Sequence, residues 1–405
     1  MQGDLLVLTA DRQIDRRILQ FTDSLAAAGW HPAIVAMPGE PDVKDADARI
    51  RRIDLGTHSA HRERLIASGY RALRRRFGIN RGPMRLLKRI TWGWFADPQS
   101  YYSRLFWPAI ADCHPSVIVA NDLPMLPVAV RLKAQTGARL VYDSHELYCE
   151  QAFSSREKRR WQRVERDHIG ACDLVITVND TIARELRARY TIPSVEVILN
   201  AVPLAATTKP ARYFHDHYGL APHIRVALFQ GGLTEGRNLH TLVDAAGHLK
   251  SGNVVLVLMG DGELVAPLRR QIARRGLADS VFLHPAVAQS ALPAITRSAD
   301  AGLIPYQADC LNNTYCTPNK LFEFIEAGVP ILASDLPELR KFVHNLHIGL
   351  VGDLSTPEHT ARLIDLLFED SSRLTTWRTN LASVRQQLCW ETEEKKLIRM
   401  FATLR

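Results

Sequence analysis

Short runs of Val, Ile and Leu recur along the 405-residue chain, separated by longer stretches whose apolar residues fall on one helical face. A strand that reads apolar throughout is covered on both sides, a condition met by parallel strands sandwiched between helices. In the first half this pattern predicts strands at Leu5–Ala10, Ala33–Met37, Val117–Ala120, Leu140–Asp143, Leu174–Val178 and Val195–Leu199. Ile14, Ile18, Phe21 and Leu25 form a helical stripe that Gly29 ends. The stretch 201–222 contains Pro203, Pro210 and Pro222 and has no clear period, so it reads as a linker. A second series follows, with strands expected at Val226–Phe229, Val254–Met259, Val281–Leu283, Gly302–Ile304 and Pro330–Ala333. The expected fold class is therefore α/β, with two doubly wound, Rossmann-like domains. Two such sheets leave a cleft at the carboxyl ends of their strands, and that cleft is where a site is expected.

The composition excludes several alternatives. Apolar residues make up 46% and charged residues 23% of the chain, which is ordinary for a globular protein and excludes global disorder. The six cysteines (Cys113, Cys149, Cys172, Cys310, Cys316 and Cys389) are scattered, with no Cys-x-x-Cys pair, so neither a zinc site nor a disulfide framework is expected. The start, MQGDLLVLTADRQ, lacks the features of a signal peptide, and no apolar run approaches the length of a membrane span. These features predict a cytoplasmic protein whose contact with a membrane is at most peripheral.

Three stretches carry candidate chemistry. Phe229 to Arg237 (FQGGLTEGR) runs from a strand through a glycine-rich turn toward a helix. Gly231, Gly232 and Gly236 let backbone N–H groups approach a phosphate and Arg237 adds a cation, although such turns are also glycine-rich for steric reasons alone. The turn Met259-Gly-Asp-Gly-Glu263 has the same ambiguity and reads as structural. Thr317 to Ser334 reads as a helix begun near Pro318, ended at Gly328 and followed by a buried strand. Lys320 and Glu323 share a face near its start, as a surface ion pair or as a diphosphate and hydroxyl site at the cleft.

The segments PNKLFEFIEAGVPILASD, FQGGLTEGRNLHTLVDAA, MGDGEL and SADAGLIPY resemble the donor-binding domain of retaining GT-B glycosyltransferases, the large family 4-like group that includes sucrose-phosphate synthases and bacterial mannosyltransferases. VANDLP, LVYDSHELY, LVITVND and VILNAVP resemble the acceptor-side domain of the same family. The resemblance implies an acceptor-side domain over 1–205, a donor-binding domain over 206–385, and a C-terminal helix at about 386–405 that returns to the first domain. It further implies a nucleotide-diphosphate sugar donor, UDP- or GDP-linked, retention of configuration, no cofactor and no required metal.

Residue by residue, the resemblance places Glu323 on the ribose hydroxyls, Arg237 on the pyrophosphate, and Lys320 with the backbone at Leu321 and Phe322 beside the diphosphate. His145 falls near the transferred sugar, in a positioning role, and the base contacts fall around Pro285–Val287, Val287 among them. On the first-domain side Asp11, Arg16, Asn121, Asp122 and Glu146 are the candidates for the acceptor. Two positions depart from the family pattern. Tyr315 stands where a sugar-reading carboxylate is usual, and Gly232 stands where many members carry an arginine, which leaves more of the charge stabilisation to Arg237 and Lys320.

Residues 62–89 hold ten basic side chains against one acid, more than the whole chain's excess of +8, and Trp92, Trp94, Phe95, Tyr101, Tyr102, Phe106 and Trp107 follow. Basic groups beside aromatics suit an anionic membrane surface, so 62–107 is expected to dock the enzyme near a lipid-linked or nascent glycan acceptor in cell-surface polysaccharide synthesis. The plainer reading is a solvated helical face with its aromatics in the core. No recognition-helix or RNA-platform motif accompanies the patch, so nucleic acid is not expected as a partner. A non-catalytic nucleotide-sugar-binding or membrane-surface protein of the same fold, and a nucleotide-sugar epimerase, remain as alternatives.

Overall fold

A computed structural model of the chain describes residues 4–39, 47–54, 98–192, 194–205 and 212–405. The basic stretch 62–89, with Trp92, Trp94 and Phe95, lies outside the described residues, as does part of the expected linker, 206–211.

Thirteen strands are described, in two sheets. The first comprises β1 (Leu5–Thr9), β2 (Pro32–Ala36), β3 (Ile50–Arg52), β4 (Val117–Asn121), β5 (Arg139–Ser144), β6 (Leu174–Thr177) and β7 (Glu196–Val197), ordered β3-β2-β1-β4-β5-β6-β7. The second comprises β8 (Arg225–Gln230), β9 (Val254–Met259), β10 (Val281–His284), β11 (Ala301–Ile304), β12 (Ile331–Ser334) and β13 (Gly349–Gly352), ordered β10-β9-β8-β11-β12-β13. All pairings within the sheets are parallel, for example Val117↔Arg139 through Asn121↔Asp143 and Arg225↔Val254 through Gln230↔Met259. In each sheet the order reverses beside the first strand of its series, between β1 and β4 and between β8 and β11, and a reversal of this kind opens a crevice at the strand ends. Every residue of β1, β4 and β9 is buried, which explains why those strands read as continuous apolar runs.

The strands that the apolar pattern leaves out are β3 and β13, both at sheet edges. Ile50-Arg-Arg52 is half exposed and Gly349-Leu-Val-Gly352 is short and glycine-flanked, so neither needs two apolar faces. The edge strand β7 is likewise shorter than expected.

The first helix, Arg16–Ala27, is capped by Asp15, whose carboxylate accepts from the Arg17 N–H at 2.7 Å. It buries Ile18, Phe21 and Leu25 against the sheet. The last helix, Trp390–Ala402, closes the same core from the other end of the chain. Phe401 meets Phe21 edge-on at 5.3 Å, Leu397 and Phe401 are fully buried, and the Trp390 indole donates to Ser24 Oγ at 2.9 Å. Burial of one such apolar side chain contributes about 1.5–3 kcal/mol, so this helix is integral to the first core.

Of the aromatic residues beyond the basic stretch, Tyr101, Tyr102, Phe106 and Trp107 lie on the helix Pro98–Ile110. Phe106 is fully buried, Tyr102 and Trp107 pack on the first core, and the Arg131 guanidinium lies 3.5 Å over the Trp107 ring. These side chains serve the core, and Phe106 in particular has no face to offer a membrane.

Candidate functional site

The carboxyl ends of β1, β4, β5, β8 and β9 converge on a cavity of about 690 Å³ between the two sheets. Asp11, Asp122, His145, Glu146, Gly231, Gly232, Arg237, Val287, Lys320 and Glu323 all line it, although they are scattered over more than 300 positions of the sequence. That convergence follows from parallel topology, which brings every strand of a sheet to the same edge.

One wall is built on two glycine turns that hold each other. Gly231, after β8, has φ +110° and donates its N–H to Met259 O at 2.9 Å, while Leu233 N–H donates to Asp261 O at 2.8 Å. Gly260, after β9, has φ +152° and presses so closely that a Cβ there would lie 2.0 Å from Gly231 O. The second turn is thus structural, as its sequence suggests, and it also contributes Met259, Gly260 and Asp261 to the cavity wall.

Behind this turn the helix Asn319–Ala327 starts after Pro318 and ends at Gly328, which takes a left-handed φ of +70°. Lys320, in its first turn, is 6% exposed and forms no ion pair among the described residues. Its ammonium donates to Tyr306 Oη at 3.3 Å and lies 3.8 Å from the centre of the Phe229 ring. Burial, reinforced by the nearby Arg237 cation, holds its pKa well below the ordinary lysine value. The Arg237 guanidinium stacks 4.0 Å over the other partner, Tyr306. Two cations and the glycine turn make this end of the cavity suited to a polyanion.

Glu323 does not pair with Lys320, one helical turn away. Its Oε1 accepts from Arg16 Nη1 of the first domain at 2.9 Å, and its Oε2 accepts from Gln230 Nε2 at 2.6 Å. Arg16 therefore reaches the site through Glu323 and not from the wall of the main cavity, which it does not line.

The opposite wall comes from the first domain. His145, just past β5, lies between Asp143 (Nε2 to Oδ2, 3.0 Å) and Asp122 (Nδ1 to Oδ2, 3.7 Å). Burial pulls the imidazole pKa down, and the two carboxylates outweigh it, raising the value to about 9. Asp143 is also gripped by Arg17, through Nε at 3.1 Å and Nη2 at 3.0 Å. Burial pushes the Asp143 carboxyl up, and Arg17 with His145 overcomes this and holds it well below the usual range. Asp122 moves the other way, raised chiefly by burial. Its backbone sits at φ +60°, a conformation costing a non-glycine residue about 1–3 kcal/mol, and is held there by its N–H donating to Asp143 O at 3.0 Å. The Asp11 carboxyl is also raised, mainly by burial.

Besides Arg16, three expected site residues, Asn121, Leu321 and Phe322, do not line the cavity, and neither does Tyr315. Asn121 is buried and its amide donates to Leu8 O at 3.3 Å, tying β4 to β1; the outward position at this strand end belongs to Asp122. Leu321 and Phe322 have fully buried side chains, and the Leu321 N–H already donates to Pro318 O at 2.9 Å. Tyr315 packs against the first core, and its carbonyl accepts from Asn179 at 2.8 Å.

Other lining residues escape sequence reasoning. Arg17 is one of two adjacent arginines, and only the helix register shows which faces inward to Asp143. Asn312, Asn313 and Thr317 follow β11 in a segment with no period of its own. Among the described residues no group of three or more His, Cys, Asp and Glu is arranged to hold a metal ion. No described helix is long and apolar enough to cross a membrane.

Residues 14–202 match the family model described as glycosyl transferase 4-like domain, and residues 215–383 match that of glycosyl transferases group 1. A D-inositol 3-phosphate glycosyltransferase of Jonesia denitrificans is 24% identical over 250 residues, a match spanning 57% of this chain and 57% of that relative's length. Among solved structures, a sucrose-phosphate synthase from Thermosynechococcus elongatus superposes with a TM-score of 0.74 at 19% identity, covering 99% of this chain and 98% of the other. HepE of Anabaena, solved in complex with UDP and glucose, superposes with a TM-score of 0.70 at 16% identity, covering 99% of this chain and all of the other. Matched in both halves by glycosyltransferase models and built as two facing Rossmann-like domains, the chain belongs to the GT-B glycosyltransferases of group 1 with a 4-like first domain.

Proposed function

We propose that the protein is a retaining, metal-independent glycosyltransferase that moves a sugar from a UDP- or GDP-linked donor to a glycan or lipid-linked acceptor in cell-surface polysaccharide synthesis. The observation that carries this reading is the cavity's polarity. Arg237, buried Lys320 and the Gly231-Gly232 turn meet at one end, and carboxylates and His145 stand opposite. Breaking the bond from the anomeric carbon to phosphate puts charge on a diphosphate, and fixed cations in a partly enclosed cleft stabilise it. Gln230 and Glu323 supply hydroxyl-binding groups beside that end, where a ribose attached to the diphosphate comes to rest. HepE binds UDP and glucose within the same fold, which supports a nucleotide-sugar donor here.

His145 is held as a cation by its two aspartates and has no basic nitrogen to spare, so it orients groups and adds positive charge rather than taking a proton. The leaving phosphate is then the base that accepts the acceptor's proton, which goes with retention of configuration. The basic stretch 62–89 is the segment we assign to an anionic membrane surface; flotation with anionic against neutral liposomes tests that assignment.

The test of the main reading is product analysis with a panel of UDP- and GDP-sugars in the presence of chelator. Free nucleoside diphosphate formed only when an acceptor is added, with the donor's anomeric configuration kept in the product by NMR, is the expected result. An isomerised donor without acceptor identifies an epimerase, and no turnover with binding intact identifies a non-catalytic binder.

A further inference from the structure

A sugar attached to a diphosphate that is anchored by Arg237 and Lys320 must lie beyond them, toward the first-domain wall. The carboxylates there are not equivalent. Asp143 has both oxygens bound, to Arg17 and His145, and Asp122 accepts from the His145 N–H at 3.3 Å. Glu146 is different because both domains hold it. Its Oε2 accepts from Asn312 Nδ2 of the second domain at 2.6 Å, and its Oε1 accepts from Gln151. The backbone beneath is rigid: Glu146 O accepts from Ser144 Oγ and from Tyr148 N–H, both at 2.9 Å.

Asn312 is itself fixed. It is 8% exposed, and its Oδ1 accepts from the Leu147 N–H at 3.0 Å. The turn that carries it, Leu311–Thr314, is bolted to the first domain by Leu311 and Tyr315, one helical turn apart, which both pack into that domain's core. With Tyr315 packed on the first core, it does not line the cavity, and the turn offers Asn312 and Asn313 instead; of the two, Asn312 is the one that holds Glu146. A carboxylate has about four lone-pair sites and an amide nitrogen two N–H groups, so two sites on Glu146 and one on Asn312 remain for hydroxyls.

We infer that Glu146, positioned by Asn312 across the domain interface, reads the hydroxyls of the transferred sugar and sets which sugar the enzyme accepts. This moves Glu146 from the acceptor to the donor sugar and fills the place that Tyr315 leaves without a carboxylate. The inference rests on the donor reading above. A site built to hydrogen-bond a hydroxyl discriminates strongly against the epimer that misplaces it, because the buried partner is then left unpaired.

The experiment is calorimetric binding of free UDP and GDP and of sugar pairs differing at one hydroxyl, UDP-glucose with UDP-galactose and GDP-mannose with GDP-glucose. It compares wild type, Glu146→Gln and Asn312→Ala. Wild type should separate the members of at least one pair by about tenfold or more. Both variants should bring that ratio to within about threefold while binding the free diphosphate as wild type does, an outcome that general loosening of the cleft does not produce. Two variants guard against misfolding of either one. Free diphosphate binding with the sugar ratio unchanged in both variants, or equal affinities of wild type across every pair, overturns the assignment. Loss of free diphosphate affinity in step with the sugar ratio also overturns it, since Glu146 would then act on the whole site. Binding of no diphosphate by wild type overturns the donor reading and this inference with it, a failure distinct from the others.

Discussion

Replacing Lys320 by methionine should make the protein more stable and worse at its task. The ammonium is 6% exposed, sees two aromatic faces and one hydroxyl, and has no carboxylate partner among the described residues. Exchange of a buried ionic group for an apolar one of similar shape stabilises by about 1–4 kcal/mol where the charge is poorly compensated. At about 2–4 °C per kcal/mol for a domain of this size, Lys320→Met should raise the melting temperature by several degrees. The sign of the pH dependence follows from the lowered pKa. Between the folded value and the ordinary lysine value the unfolded chain binds the extra proton, so wild-type stability climbs with pH and the gap to the variant narrows. Affinity moves the opposite way. A hydrogen bond to a charged group contributes about 1.5–3 kcal/mol, so loss of the cation should weaken nucleoside diphosphate binding by roughly ten- to a hundred-and-fifty-fold. Differential scanning fluorimetry with and without UDP and GDP gives both quantities. A variant that melts lower than wild type and binds the diphosphate equally well would refute the reasoning.

Glu323→Ala should abolish the thermal shift that the matching nucleoside diphosphate produces in wild type, a shift worth about 2.7 kcal/mol at 100 times the dissociation constant; an unaltered shift would remove Glu323 from the site. Gly260→Ala forces a Cβ into Gly231 O at 2.0 Å, so the glycine turn must move; diphosphate affinity should fall about tenfold or more, and affinity held at the wild-type level would show the turn to be uninvolved. His145 has a raised folded pKa of about 9. Its contribution is therefore complete below about pH 6.5 and is lost as pH rises through 9, so the stability gap between wild type and His145→Asn should close across that window in urea titrations, and a gap constant to pH 10 would contradict it. Arg16 spans the domains to Glu323, and closure about the linker on donor binding should compact the scattering profile; identical curves with and without saturating donor count against such a motion.

The two series of buried parallel strands were legible because strands covered on both faces leave an apolar run that needs no partner to recognise it. β1, β4 and β9 lie close to where the runs place them, and Pro318 and Gly328 bracket the helix that carries Lys320 and Glu323. The glycine turn after β8 was equally local. The edge strands β3 and β13 were not, since an edge is free of the two-sided constraint that produces the pattern.

The relation between side chains was a different matter. Spacing puts Lys320 and Glu323 on one helical face, yet Glu323 pairs with Arg16, 307 positions away, and Lys320 turns to Tyr306 and Phe229. Adjacent residues exchange fates at the end of β4, where Asn121 goes into the core and Asp122, at positive φ, faces the cavity. Propensity and periodicity act over a few residues, and they determined the strands, the helices, the turns and the edge at which a site had to form. The partners across the cleft, Arg16 with Glu323 and Glu146 with Asn312, were decided by how two separately folded sheets meet, which no local interaction encodes.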